Sequence, residues 1–576
     1  MVKLEVSEII DAALKTNVFG QDFKFRKHQR EAVENICNTY LEDPNATIII
    51  DAPTGSGKSL IAMWSSYVLK ELGNNGYLVT SDLTLQDQYE KDLKRLKLSW
   101  PSLKGVDNYE CDINGLKFSL GDCKLKGMGY EQAEKLRCFQ TCDYLQLRKK
   151  AINAPVAVFN YSYWLIQRNY VEDKMTERNA EAPFGQRNFT FFDEAHKVDD
   201  IVQSHFSPRI DEGVIDKMTY INRFFERKNI HVETASKSRV SELVHGLMTV
   251  EDKAELFKIM EDFEEVAKLY KKAQNRFKST IKTRYNDKIP ADWTSAGTTL
   301  DYLKDIYCKF DDYIEIIKNN GIESMVIDQR EDEAKFMCIK EAELIKKHLH
   351  EKAGFKVFMS ATIGDPRAFI EIMGIENARF IRIDNEFNYD KSPVVFVNRH
   401  KLTFKTKEQN LPKVMDILNK IMDKHVGQRG IIHSGSYQFT QYIMEHSKND
   451  FRLLNYQGSK EKKETLKQFL EEKDSILVGP SILEGLDLKD DVSRFQVFFK
   501  VPYPNLGDPL IKAKLQSSSS WYDWKTGVHI LQGVGRSVRS KDDWAITYII
   551  DASFSNLLYK KDFFPPSFTD RIKTIQ

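Results

Sequence analysis

The nine residues Asp51-Ala52-Pro53-Thr54-Gly55-Ser56-Gly57-Lys58-Ser59 constrain this chain more than any other stretch. The apolar run Ala46 to Ile50 ahead of them predicts a buried strand, and Leu60-Ile61-Ala62-Met63-Trp64 after them opens a helix. A strand, a glycine-rich turn and a helix starting at Gly-Lys-Ser is a setting in which backbone N–H groups and a helix N-terminus converge on one anion. Gly55 and Gly57 free the backbone to turn, and Thr54 and Ser56 complete the loop. Lys58 is expected to reach the β- and γ-phosphates of a nucleoside triphosphate, and the Ser59 hydroxyl to ligate Mg2+. The first position of the usual G-x-x-x-x-G-K-[S/T] pattern is Ala52 rather than glycine.

A length of 576 residues suggests about three to four domains. The formal net charge is only +1, so nucleic-acid contact requires a local basic surface rather than global attraction. No apolar run approaches the ~20 residues needed to cross a bilayer. Met1 to Val6 lacks the apolar core of a secretion signal. Seven cysteines, four of them clustered, argue against a secreted disulfide framework. The expectation is a soluble, cytoplasmic, multidomain enzyme with no membrane partner.

Around the loop, several groups stand where a nucleotide site needs them. Arg26 and Gln29 lie three apart ahead of a helix from Arg30 to about Tyr40, and together suit an adenine edge; alone, such a pair is a solvated helix face. Thr80, Ser81 and Gln86 follow the strand-like Gly76-Tyr77-Leu78-Val79-Thr80 and suit either a phosphodiester backbone or helix capping by Ser81 or Thr84. Phe189-Thr190-Phe191-Phe192 runs into Asp193-Glu194-Ala195-His196. Asp193 is expected to hold Mg2+ and Glu194 to polarise the attacking water. His196 reads equally as a coupling residue or a structural one. Ser360 and Thr362 end another strand, Lys356-Val357-Phe358-Met359-Ser360, and suit hydrogen bonds towards the nucleotide. Far along the chain, Gln532-Gly533-Val534-Gly535-Arg536-Ser537-Val538-Arg539 carries two arginines on one helical face, with Gln532 a turn earlier. Across a cleft from the phosphate loop, Arg536 and Arg539 become candidate arginine fingers.

Cys111, Cys123, Cys138 and Cys142 form a C-x11-C-x14-C-x3-C array. Four thiolates in so short a window suit Zn2+ or an iron–sulfur cluster, and spacing does not decide between them; buried, unligated thiols remain the bland alternative. Lysines, arginines and rings around them, among them Lys117, Lys126, Phe118, Phe139 and Tyr144, suit a single-stranded nucleic-acid surface or an ordinary small domain. From Asp211 to Leu349, Leu256, Met260, Phe263, Ala267, Tyr270 and Phe277 recur at helical spacing in a charged background, which predicts a helical insertion with two long paired helices. Later β-α alternation, through Gly430–His433, Ile476–Gly479, Phe495–Phe498 and Trp544–Ile550, predicts a second open parallel sheet.

Taken in order, these motifs resemble superfamily 2 helicases, specifically the iron–sulfur XPD/DinG-like DNA helicases. The matching pieces are Arg26-x-x-Gln29, Ala52 to Ser59, Asp193-Glu194-Ala195-His196, Ser360-Ala361-Thr362, Ser481-x-x-Glu484-Gly485-x-Asp487, Pro502-Tyr503-Pro504 with Asp508-Pro509, and Gln532-x-x-Gly535-Arg536-x-x-Arg539. Alanine at position 52 is usual in that superfamily. The resemblance implies an α/β fold of two RecA-like parallel-sheet motor domains. The first would span 1–103 and 151–210, interrupted by a four-cysteine Fe–S domain at 104–150 and followed by a helical Arch domain at 211–349. The second would occupy 350–576, with the strand at Ser360-Ala361-Thr362 open to either domain. It further implies ATP, Mg2+ and a [4Fe–4S] cluster as cofactors, with the four cysteines as cluster ligands. Asp487 would join the nucleotide site, and Gln532, Arg536 and Arg539 would join Lys58, Asp193 and Glu194 in hydrolysis. The implied activity is 5′→3′ movement on single-stranded DNA and unwinding of forked or tailed duplex by a monomeric motor. Two other classes share these residues: a DEAH-type RNA helicase or nucleic-acid-stimulated translocase, and an ATP-gated, redox-sensing DNA-binding protein without unwinding.

Overall fold

The computed structural model describes residues 5–20, 23–26, 28–53, 55–128, 130–171, 183–285, 289–383, 389–456, 458–480, 490–536, 538 and 543–576. Its first sheet is built from β1 (Thr47–Asp51), β2 (Gly76–Thr80), β3 (Val156–Asn160), β4 (Phe189–Asp193), β5 (Phe355–Ser360) and β6 (Ala378–Arg382). The strands run parallel in the order β3-β2-β4-β5-β1-β6. The central strands are near-continuous apolar runs because both faces are covered. Ile49, Phe192 and Phe358 point into one core, while Ile48, Ile50, Phe191, Val357 and Met359 point into the other.

The second sheet holds β7 (Val394–Val397), β8 (Gly430–His433), β9 (Leu453–Leu454), β10 (Ile476–Gly479), β11 (Phe495–Phe498), β12 (Ile546–Ile549) and β13 (Ile572–Ile575), all parallel, in the order β9-β10-β8-β11-β12-β7-β13. Two open parallel sheets in one chain match the expected fold class.

The boundary expected at 350 shifts. Both β5 and β6 pair with β1, Asp51 facing Ser360 on one side and Arg382 on the other, so the first domain runs through these strands. Alternation of strands and helices reports neither which sheet a strand joins nor its place within it. The helical segment contains the two long helices Lys253–Arg284 and Ala291–Asn320 packed together, with Leu256, Met260, Phe263, Ala267, Tyr270 and Phe277 buried. It also contains a three-stranded antiparallel sheet, Arg209–Asp211, Glu333–Cys338 and Met325–Gln329, which the helical expectation missed. Around Cys111 to Cys142, Phe118, Phe139 and Tyr144 are core residues rather than exposed stacking platforms. Among the described residues no helix is long and apolar enough to cross a membrane.

Candidate active site

The carboxyl ends of β4, β5 and β1 lie side by side, which brings Asp193, Ser360 and the start of the phosphate loop together. Gly55 and Gly57 each adopt φ of +84°, a region that L side chains rarely enter. Gly57 has a second reason to be glycine: a Cβ there would stand 2.4 Å from Gln29 Nε2. The helix Lys58–Glu71 begins directly after it.

Gln29 and Arg26 hold the loop itself. Gln29 is 2% exposed; its Nε2 donates to Ser56 O at 2.6 Å, and its Oε1 accepts from the Arg26 amide at 2.8 Å. The Arg26 guanidinium donates to Gly55 O. Expected at an adenine edge, both side chains here spend hydrogen bonds on the loop that precedes the phosphates.

Lys58 Nζ lies 3.9 Å from Glu194 Oε1. Asp193 is buried, and each carboxylate oxygen accepts a bond: Oδ2 from Tyr89 OH and Oδ1 from the Glu194 amide, both at 2.9 Å. Tyr161 OH donates to the Asp193 carbonyl at 3.0 Å. Burial, and then the neighbouring charge of Glu194, push the Asp193 carboxyl up to about 6, against the pull of Lys58. Glu194 has φ of +52°, a left-handed conformation unusual for a residue with a side chain and of the kind that gathers at functional sites. The Ser59 hydroxyl donates to Asp92 Oδ2 at 3.3 Å.

His196 joins the two domains. Its Nδ1 lies 2.7 Å from Ser360 Oγ and 3.3 Å from Glu194 Oε2, while its Nε2 meets the Gln532 side-chain amide. Burial holds its pKa well below the ordinary histidine value, so the ring is neutral: Nδ1–H donates towards Ser360 and Nε2 accepts from Gln532. Ser360 Oγ in turn accepts from the Thr362 amide at 3.0 Å. Of the two readings open for His196, the geometry is that of a connector.

A cleft of about 1030 Å³ collects Arg26, Gly55, Gly57, Lys58, Ser59, Asp193, Glu194 and His196 from the first domain, and Gln532, Gly535 and Arg536 from the second. Three expected site residues, Thr54, Asp487 and Arg539, lie outside the described residues, as do Ser481, Glu484 and Gly485. Tyr89, Tyr161 and Arg382, whose Nε lies 3.2 Å from Asp51 Oδ2, are site neighbours that motif reading missed. Gln86 turns inward, donating to Ser102 Oγ and Leu103 O and accepting from Asn160. Asp82, not Ser81 or Thr84, caps the helix Leu83–Arg95. Among the described residues no group of three or more His, Cys, Asp or Glu side chains stands ready to hold a metal ion.

Two parallel-sheet domains closing on one phosphate loop define a motor-type nucleotide site. The family description "Helicase C-terminal domain" matches residues 419–566, and "Type III restriction enzyme, res subunit" matches residues 22–228. The ATP-dependent DNA helicase YoaA of Haemophilus influenzae is 22% identical over 627 aligned positions, covering 94% of this chain and 93% of that protein. The ATP-dependent DNA helicase DinG of Escherichia coli K12 is 25% identical over 231 positions, 36% of this chain and 32% of DinG. The solved Xpd4 structure from S. tokodaii shares the fold with a TM-score of 0.58 at 15% identity, over 96% of this chain and all of that one (100%). A solved XPD helicase chain gives 0.60 at 16% identity, over 96% and 99%. The helicase-domain matches, the YoaA and DinG relatives and the XPD fold together support an XPD/DinG-like helicase of superfamily 2.

Proposed function

We propose that this protein is an ATP-hydrolysing DNA helicase that moves 5′→3′ along single-stranded DNA and unwinds tailed or forked duplex. The observation that carries the reading is the single cleft shared by Lys58, Glu194, Gln532 and Arg536, two from each sheet domain. Lys58 neutralises the phosphates, and Ser59 and Asp193 are the residues that would hold Mg2+, which supplies charge neutralisation on the transferring phosphoryl group. Glu194 orients and deprotonates the attacking water. Arg536 approaches the γ-phosphate from the second domain as the cleft closes, and His196 passes the state of the Asp193-Glu194 pair to Gln532. Closing and parting of the two domains then ratchets the strand.

Cys111, Cys123, Cys138 and Cys142 are the proposed ligands of a [4Fe–4S] cluster. The Cys123 thiol is pushed up to about 12, first by burial and then by Cys111, Cys142 and Cys138. Gly121 leaves room beside them, since a Cβ there would sit 3.2 Å from Cys111 Sγ. Such a cluster would supply a rigid covalent staple for a segment with little secondary structure. A Cβ on Gly297 would stand 2.7 Å from Leu125 Cδ2, so the cysteine segment packs tightly on the long-helix segment. That contact supports an opening framed by the Fe–S and Arch domains through which one strand passes.

The test is ATP-dependent unwinding of two matched duplexes, one with a 5′ single-stranded tail and one with a 3′ tail. Unwinding of the 5′-tailed substrate alone is expected. Unwinding of the 3′-tailed one alone overturns the polarity. Activity on neither, with DNA-stimulated ATP hydrolysis intact, leaves a translocase that does not separate strands.

A further inference from the structure

The helix Ser519–Val534 belongs to the second domain by sequence, yet its apolar residues are shared between two cores. Ile530 and Val534 pack with the second sheet, whereas Trp521, Trp524 and Val528 join the core of the first domain. Trp524 Nε1 donates to Ile363 O at 2.7 Å, just past the Ser360-Ala361-Thr362 motif. Amid these rings sits a buried ion pair. Lys525 Nζ lies 3.1 and 2.9 Å from the two carboxylate oxygens of Asp199 and 2.7 Å from Asp200 Oδ2. The Asp199 side chain is 1% exposed and that of Lys525 9%. Trp521 Nε1 adds a bond to Asp199 Oδ2 at 3.4 Å. A second buried pair, Lys514 with Glu341, ties the preceding helix Pro509–Ser517 to the end of the helical segment.

We propose that Lys525 and Asp199 are positioning residues for ATP hydrolysis, fixing the angle of the helix that delivers Gln532 and Arg536 to the cleft. Gln532 lies seven residues after Lys525, two turns along the same helix face. Asp199 lies three residues after His196. The same two segments are therefore joined twice, by Lys525–Asp199 and by Gln532–His196. The rings alone would dock the helix, because apolar burial is non-directional. A buried ion pair adds little net stability over apolar residues of similar size, but it does impose one geometry. Burial opposes the Asp199 charge, and Lys525 overrides it to hold the carboxyl below its ordinary range.

The inference rests on the ATPase reading of the cleft, so Lys58→Ala is run as a separate control. Its failure to stop turnover would sink that reading, whatever the Lys525 variants do. ATP turnover of the full chain is then measured at saturating single-stranded DNA for wild type, Lys525→Met, Lys525→Arg, Asp199→Asn and the Lys525→Met/Asp199→Asn double variant, each first checked for an unchanged thermal unfolding midpoint. The expected result is a kcat lowered roughly 10- to 100-fold in Lys525→Met, on the scale of a misplaced transition-state group. KM for ATP should stay within about twofold, because the groups that bind nucleotide are untouched. Lys525→Arg should recover most of the rate, and the double variant should lose little more than either single one. A folded Lys525→Met protein with wild-type kcat overturns the proposal. So does a loss that appears equally in KM and kcat, or that arginine does not restore. Where Lys525→Met fails to fold, the kcat of Asp199→Asn and Lys525→Arg decides.

Discussion

The Gln532 side-chain amide of the second motor domain donates to Nε2 of His196 in the first, and the other ring nitrogen of His196 faces both Ser360 and Glu194. One neutral imidazole thereby touches Glu194, proposed to activate water, the strand end that follows it in the sheet, and the last turns of the helix Ser519–Val534 that leads into Arg536. Because His196 is buried and uncharged, its Nε2 works as an acceptor with a single partner to find. The bond exists only while the two domains stand at this distance, which makes it a reporter of closure inside the catalytic cleft.

Replacing Gln532 with alanine leaves that buried acceptor without a donor, a penalty of about 1–3 kcal/mol paid in the closed state alone. Gln532→Ala is therefore expected to lower DNA-stimulated kcat by about 10- to 100-fold while KM for ATP moves little. Steady-state ATPase assays with and without single-stranded DNA check this. A variant with normal stimulation would show the contact to be incidental.

In the proposed mechanism Lys58 and Glu194 separate binding from chemistry. Lys58→Ala removes the cation facing the phosphates, and both ATP affinity and turnover should fall to background. Glu194→Gln keeps the shape and the left-handed backbone but removes the base, so nucleotide binding should persist while kcat drops by about 10²–10⁴-fold. Equilibrium binding of a fluorescent nucleotide alongside turnover distinguishes them, and equal loss of binding in both variants would refute the division of roles.

Much of this site was legible in the chain. Phosphate loops and Asp-Glu strand ends are local devices whose residues must be contiguous, so Lys58, Ser59, Asp193 and Glu194 announce themselves. What stayed hidden depends on packing between distant segments. Tyr89 reaches Asp193 across the sheet from a helix with no motif in it. Gln29 reads as a base-recognising side chain because its chemistry suits adenine, but the same amide suits the Ser56 carbonyl. The insertion of β5 between β4 and β1 depends on sheet order, which strand-and-helix alternation does not encode. Lys525 carries no motif signal of its own, since neither Asp199 nor its burial is written near it in the sequence.

The four-cysteine segment makes a compositional prediction. Protein purified without oxygen should contain iron and acid-labile sulfide in equal amounts and show visible charge-transfer absorbance. Cys138→Ser should lose both and lose strand separation. Zinc in place of iron would overturn the cluster and leave a structural thiolate site.

Asp312 supplies a pH test far from the cleft. It lies on the helix Ala291–Asn320, 2.9 Å from Lys347 Nζ and 3.5 Å from His348 Nε2. Burial pushes its carboxyl up to about 6, with Lys347 pulling the other way. The unfolded chain ionises it in the ordinary range near 4. Between those values the folded protein binds more protons than the unfolded one, so this group stabilises the fold as pH falls from above 6 and weighs against it once ionised. Asp312→Asn removes the charge without changing the shape, and Lys347 retains Glu315 as a partner. The variant should therefore gain stability relative to wild type at pH 8, by about 1–3 kcal/mol, and keep only about half of that advantage at pH 5. Thermal melts of both proteins at the two pH values measure it. A variant that is less stable at pH 8 than at pH 5, relative to wild type, would mean that the Lys347 pair outweighs burial and that Asp312 is ionised throughout.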